Sequence, residues 1–470
     1  GLTDQIDYIG VIGQASRYSA TAAISADTRN SLTYALSLTT PLAAGLNSND
    51  ARYTTTALYQ NPSSIPVDSN SAIHHSDTYE VTYPYAGATI STQYYMGGAI
   101  AYTGVLGNSP GQVIAQLERS VSGDGTKPEG TVYFGKNNDI RSTTRQGQWD
   151  TTIGQLSDRG VLGIVDSKDS QITPLNKPDV RGAVVGKATT PLPNGSTYLP
   201  GSWADNLTSY GATWSDRGQS KSTLFLASGA AATAGSVVEP YAVSARFTNS
   251  SIFTFIADGS TLGEAFFKSV SRPDIQMFIG DLLAQPYADL PVVELTSGPA
   301  EGATVNGAIS LEAGGSLASP TIATGIAQLE LYVDGRLTDT VVNSSATFAL
   351  DTTLLSDGCH QLQVVAINNA AAESEGYLLR NVVVDNHGRS VASSVTNLTL
   401  DSAQMAAVPV SVAAGDGSPS RVELRRLGSV LGQVSGAGGN IDLDASQLAY
   451  GENRVVPVAV FDDGTEVAGT

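Results

Sequence analysis

Five residues of this chain have the types and spacing to do chemistry together. Asp139, Arg141 and Arg145 fall within one polar run, NDIRSTTR, while Asp205 and Glu239 each follow an apolar stretch further on. Two carboxylates flanking a bound sugar are the groups of glycoside hydrolysis, and Asp205 with Glu239 is the pair a hydrolase would use. Nothing in the sequence sets their separation. The same residues serve equally well as ion pairs that fix loops, because guanidinium and carboxylate match in a planar two-point contact. That plainer reading is the stronger one.

Other candidates are weaker still. Ser202 and Ser228 are hydroxyls with no histidine close in sequence, and a serine needs an adjacent base to act as nucleophile. His74-His75, with Asp77 and Glu80 nearby, has metal-ligand types. The run from Ala43 to Ser76 is polar and irregular, however, and fits a solvated loop better. Cys359 and His360 are adjacent, so on a strand they point to opposite faces and form no dyad. A single cysteine also excludes an internal disulfide and any multi-cysteine zinc site. GSTLGEA lacks the lysine of a phosphate loop. Asn194, Asn206, Asn249, Asn343 and Asn397 each begin an N-x-S/T sequon, a short pattern that arises mostly by chance and that an exported chain could carry as glycosylation sites.

Composition limits what these groups can serve. The 470 residues allow about three domains. A net charge of −19, without a basic stripe, excludes a nucleic-acid partner. No apolar run is long enough for a membrane-spanning helix. Only 15% of residues are charged and 49 are glycine, which suits an exported or surface protein rich in strands and turns.

The elements that must position the candidates follow from periodicity. Ile6–Gly13 reads as a strand, Asp27–Leu38 as a short helix and Ile90–Gly104 as strand. Ser109–Val121 has Val113, Ile114, Leu117 and Val121 at helical spacing, with Pro110 near the start. The strand GTVYFG, a helix over Trp149–Arg159 and the strands VLGIVDS and VRGAVVGKA come next. LFLASGAAATAG reads as an apolar strand ending in a close backbone approach. LGEAFFKSV is a helix capped by Thr261 and Glu264, with Lys268 in a later turn, and IQMFIG is a buried strand. This alternation predicts a layered α/β domain with a mainly parallel, helix-covered sheet over 1–290. Such sheets place ligands beyond the carboxyl ends of their strands, where Asp139, Arg141, Arg145 and Asp205 are expected.

The motifs DGTKPEGTVYFGKNNDIRSTTRQGQW, LPGSWADNLTSYGA, GAAATAGSVVEPY, GSTLGEAFFKSV and FIGDLLAQPY, in that order, resemble an uncharacterised family of bacterial exported proteins. The resemblance covers about residues 1–290 and implies no activity. The later part is also similar to gingipain-type cysteine peptidases, which implies a caspase-like α/β fold. Such peptidases need a His at the end of one strand and a Cys at the end of a following one, a base beside its nucleophile. Val180–Ala188 holds no His and LPGSWADNLTSYG holds no Cys. The resemblance therefore implies a catalytically inactive relative.

From Pro291 the pattern changes to short alternating runs broken by Gly, Asp and Asn. In LELYVDG, Leu329, Leu331 and Val333 face one way before Asp334-Gly335 turns the chain. FALDTTLLSDGCHQLQVVAIN and IDLDASQLAYGENRVVPVAVF repeat one grammar: an LD step, a leucine, a glycine turn, an apolar strand. Two tandem immunoglobulin-like sandwiches, 291–387 and 388–470, follow from that repeat. Their phrases resemble the bacterial Ig-like repeats of surface proteins.

Three functions fit, in this order. The first is an extracellular or cell-surface structural or adhesive protein, self-associating into a homopolymer or joining other surface proteins in a layer, sheath or filament. The second is a hydrolase working at the sheet edge. The third is a glycan- or calcium-binding module, using exposed Trp203 and Trp214 or the carboxylates of the Asp-Gly turns. No cofactor is expected beyond that calcium.

Overall fold

From Met96 to Gly280 strands are interspersed with helices, and with Tyr8–Gly13 these strands form one eight-stranded sheet. The computed structural model describes residues 8–13, 19–20, 30–31, 33, 79–82, 89–92, 96–167, 176–193, 195–214, 218–270, 275–449 and 451–469. They form two units. The first is Gly1–Leu290 with Ser319–Thr324 and Asn369–Ser374; the second is Pro291–Ala318, Gly325–Asn368 and Glu375–Thr470.

In the first unit the strands are β1 (Tyr8–Gly13), β2 (Met96–Tyr102), β3 (Thr131–Gly135), β4 (Leu162–Asp166), β5 (Val180–Gly186), β6 (Tyr198–Leu207), β7 (Ala232–Ser236) and β8 (Gln276–Gly280). Their spatial order is β1-β2-β8-β7-β6-β5-β3-β4. Every neighbouring pair is parallel except β7 with β8. The helices are α1 (Pro110–Val121), α2 (Ile140–Thr143), α3 (Trp149–Ser157), α4 (Thr223–Ser228), α5 (Ile252–Ala257) and α6 (Leu262–Ser269). One core packs Trp203 from β6 against Phe266 of α6 and Phe278 of β8, with ring centroids 5.9 and 5.7 Å away. Rings at that spacing add to plain area burial.

Local signals explain the helix starts. Ser109 and Gln112 form a capping box on α1, and Thr261 and Glu264 form one on α6. Three expectations need correction. LFLAS is not strand: Thr223–Ser228 is helical, closed by Gly229 at φ 116, and the strand begins only at Ala232. Glycine adopts that φ without penalty. In α1 the apolar stripe is not the buried one. Val113, Gln116 and Ser120 face inward, while Ile114 and Val121 are 57% and 65% exposed. The Gln116 amide donates to the Ala231 carbonyl at 2.7 Å, and that tether turns a polar side into the core. Most of Asp27–Leu38 lies outside the described residues, but Asn30–Ser31 within it pairs as strand with Ser19–Ala20. His74, His75 and Asn194 also lie outside them.

The second unit is all β. It contains β9 (Pro291–Ser297), β10 (Ala303–Val305), β11 (Ala308–Leu317), β12 (Ile326–Val333), β13 (Arg336–Val341), β14 (Ser345–Asp351), β15 (Gly358–Asn368) and β16 (Glu375–Val384). These are followed by β17 (Ser390–Ser393), β18 (Met405–Ala413), β19 (Pro419–Arg426), β20 (Ser429–Ser435), β21 (Gly438–Asp444), β22 (Val456–Phe461) and β23 (Glu466–Ala468). Two three-stranded sheets, β9-β11-β14 and β17-β18-β21, face a nine-stranded sheet that continues from one half to the other through Gly358 and Ala468. Each half has its own core, one around Leu329, Leu331, Phe348 and Leu362, the other around Val422, Leu424, Ile441 and Phe461. The repeated LD step has a structural meaning. Asp351 and Asp444 each cap a single helical turn, accepting the backbone N–H of Thr353 at 3.0 Å and of Ser446 at 2.8 Å.

Candidate functional site

The carboxyl ends of β3, β5 and β6 bring together four of the five sequence candidates, but as two separate pairs. After β3, Asn137 accepts the backbone N–H of Asp139 at 2.7 Å and donates to the Gly186 carbonyl at 3.2 Å. Asp139 then caps α2. Its Oδ1 accepts the Arg141 backbone N–H at 3.0 Å and Arg141 Nη1 at 3.1 Å. That pair is part-exposed, with side chains 25% and 24% accessible.

Arg145 turns inward instead. Its Nη1 donates to Asp205 Oδ1 at 2.6 Å and to the Val185 carbonyl at 3.3 Å. Nη2 donates to Asp205 Oδ2 at 3.1 Å, to the Thr248 carbonyl at 2.8 Å and to Thr248 Oγ1 at 3.0 Å. The Thr248 hydroxyl donates in turn to Asp205 Oδ2. Side-chain exposure is 4% for Arg145 and 5% for Asp205. Both oxygens of Asp205 are taken up by these bonds. The unit ties the loop after α2 to β5, to β6 and to the segment before α5. Thr248 is the member that sequence reading misses, since no short-range signal marks it.

Glu239 belongs to neither pair. Its Oε1 accepts the Tyr241 backbone N–H at 3.0 Å. Past the end of β5 stands Lys187, whose backbone N–H and carbonyl both bond the Asn206 side chain, at 2.9 and 2.8 Å. Past the end of β6 stand Thr208 and Ser209, both buried; the Thr208 hydroxyl and the Ser209 N–H donate to Gln219 Oε1. Ser202 is buried within β6, and the Ser228 hydroxyl donates to the Leu224 carbonyl at 2.8 Å. Gly107-Asn108-Ser109-Pro110-Gly111 fits G-x-S-x-G. It makes no nucleophile elbow. Ser109 is the cap of α1 at φ −69 and ψ 155, an ordinary extended conformation rather than a strained turn.

Trp203 and Trp214 are buried, so neither tryptophan offers the exposed ring expected for a glycan surface. Among the described residues no group of three His, Cys, Asp or Glu could hold a metal ion. His360 is buried, with Nδ1 2.6 Å from Asp334 and Nε2 2.8 Å from the Ser356 carbonyl. Cys359, on the other face, is half-buried, and burial raises its thiol pKa. Of the sequons, Asn206 is committed to Lys187, the Asn249 side chain accepts the Ser251 N–H at 3.1 Å, and Asn343 and Asn397 are exposed.

Residues 291–364 match the family described as Bacterial Ig domain. Such domains are non-catalytic modules, and their presence fits a surface or binding role. No curated protein matches the chain. Among solved structures, the fibronectin(III)-like modules of Clostridium thermocellum CbhA align at 17% identity, over 38% of this chain and 92% of theirs, with a TM-score of 0.17. A Bacteroides ovatus protein of a mixed-linkage glucan utilization locus, SGBP-B, solved with a mixed-linkage heptasaccharide, aligns at 12% over 38% of this chain and 45% of its own, TM-score 0.20. Dimeric latent PorU from Porphyromonas gingivalis aligns at 13% over 43% and 22%, TM-score 0.16. This chain spans less than half the length of those last two. Likenesses at such TM-scores carry no weight; the Ig assignment rests on the family match. No helix among the described residues is long and apolar enough to cross a membrane.

Proposed function

We propose that this is an exported, non-enzymatic structural or adhesive protein of a bacterial surface assembly, a layer, sheath or filament. Its α/β part is an inactive caspase-like scaffold, and the two Ig sandwiches, divided near residue 387, are its spacers. One observation carries the reading. Where a peptidase of that kind would present His and Cys, the ends of β5 and β6 present Lys187 and the buried Thr208 and Ser209. The nearby carboxylate, Asp205, is bound by Arg145 and Thr248. The low-charge, glycine-rich composition supports export, and the Ig match supports a surface location.

Sedimentation velocity over a wide concentration range, with a parallel screen for peptide and glycoside hydrolysis, tests this reading. Species heavier than the monomer and no turnover are expected. Hydrolysis that Asp205→Asn or Glu239→Gln abolishes, with the fold intact, would replace this reading with a hydrolase.

A further inference from the structure

The two sandwiches repeat one strand closely enough to be compared residue by residue. β12 reads Gln328-Leu329-Glu330-Leu331-Tyr332 and β19 reads Arg421-Val422-Glu423-Leu424-Arg425. Each runs into a hairpin whose two turn residues have positive φ, Asp334-Gly335 and Leu427-Gly428, at the same offset from the glutamate. Each hairpin has its register shift at the same place, between Leu331 and Tyr332 and between Leu424 and Arg425. Glu330 stands between Thr340 and Val365 on the flanking strands, and Glu423 between Gln433 and Val458. The two glutamates are equivalent.

Their partners are not. Glu423, 3% exposed, accepts from Arg421 Nε at 2.6 Å and Arg425 Nε at 2.7 Å. Glu330, 8% exposed, accepts from Gln328 Nε2 at 2.7 Å and from the Tyr332 hydroxyl at 2.7 Å. Both of those donors are neutral, and no ion pair to Glu330 occurs among the described residues. A buried carboxylate held by neutral donors remains under-compensated, and a cation brought to it recovers part of that cost. The same sheet face continues through direct cross-strand pairs from Val365 to Tyr377 and from Gln363 to Leu379. Tyr377 is 65% exposed and Leu379 is 43% exposed.

We propose that this face of the first sandwich docks a basic side chain, arginine or lysine, presented by a partner protein. The cation seats on Glu330, and the aliphatic stem lies on Tyr377 and Leu379. Val365 lies between Glu330 and Tyr377 in the cross-strand row, so a long apolar stem runs along Val365 toward Tyr377 while its charged head sits at Glu330. The second sandwich fills the equivalent place with its own arginines. The chain's net charge of −19 draws a basic partner toward it from a distance. This inference stands on the Ig unit alone and does not require the α/β part to be inactive.

The test titrates isotope-labelled full-length chain with acetyl-Gly-Arg-Gly-amide, against acetyl-Gly-Gln-Gly-amide, and follows the backbone amides of β12 and β16 by NMR. Saturable shifts around Tyr332 and Tyr377 with the arginine peptide alone are expected. Glu330→Gln should weaken them about tenfold or more, the scale of one charge-assisted contact. Gln328→Arg, which copies Arg421, should also abolish them while raising the melting temperature, and so guards against a Glu330 variant that merely misfolds. Absence of arginine-specific shifts, or shifts that survive in both variants, would overturn the proposal. A response to an oligosaccharide but to neither peptide would assign the face to glycans and overturn it equally.

Discussion

At Asp205 both carboxylate oxygens are committed, one to Arg145 and the other to Arg145 and Thr248 together. The consequence is energetic. Asp205→Asn leaves a buried guanidinium without its counter-charge and should cost about 3–5 kcal/mol of stability in urea unfolding. Replacing Arg145 and Asp205 together by apolar residues of similar volume should cost much less, because no charge is then stranded. A second carboxylate gives a pH signature. Burial pushes the Asp289 carboxyl up, but the ion pair with Lys127 and the backbone N–H groups of Ala323, Ile322 and Thr321 outweigh it and hold the pKa at about 2. That lies below the unfolded value of about 3.9. The stability Asp289 lends is therefore complete above that value and is lost as the pH falls from about 4 toward 2. Acid unfolding followed by circular dichroism should show this loss in the wild type, and Asp289→Asn should lack that part of it while being weaker at neutral pH. The chemistry of these residues was legible only by type. Arg145 and Asp205 could be named as groups that pair, but Thr248 lies 103 residues from Arg145 and 43 from Asp205, beyond any local pattern.

Elements were legible where a local signal and the core agreed. Apolar spacing with Pro110 near the start predicted the helix after Ser109, and the Thr261 and Glu264 cap predicted the one after Thr261; both exist. The face of α1 was not legible, because a long-range bond from Gln116 to Ala231 decides it. LFLAS is as apolar as a strand, and only its packing and Gly229 make it a helix. Two predictions belong at this scale. Leu427 occupies the first position of the β19–β20 turn at φ 47 and is 90% exposed, whereas the equivalent turn has Asp334 there. Leu427→Asn should therefore stabilise the second sandwich by about 1 kcal/mol, read by thermal unfolding, since Asn visits that region far more readily than a leucine. At the joint between the sandwiches, buried Asp357 accepts the backbone N–H groups of Asn386, His387 and Arg389, at 2.7, 2.9 and 2.9 Å. Arg389 also reaches Asp416 and Asp463 across the second sandwich. Asp357→Ala should strand those three donors and open residues 385–389 to limited proteolysis, with cleavage absent from the wild type.

The chain splits into two compact units, and the sequence pattern changes at Pro291, where the second unit begins. The tandem repeat showed itself as two LD steps before two glycine turns, and each half has its own core. The continuous nine-stranded sheet was hidden, because a sequence repeat says nothing of how its copies pair. Function was least legible. The proposed scaffold and assembly roles correspond to no motif in the sequence. A layer, sheath or filament requires above all that the purified native chain assembles. Electron microscopy of the protein under mild conditions tests it most directly. Ordered sheets or filaments with a repeating unit the size of the chain are the expected result, and a dispersed monomer at every concentration would contradict the account.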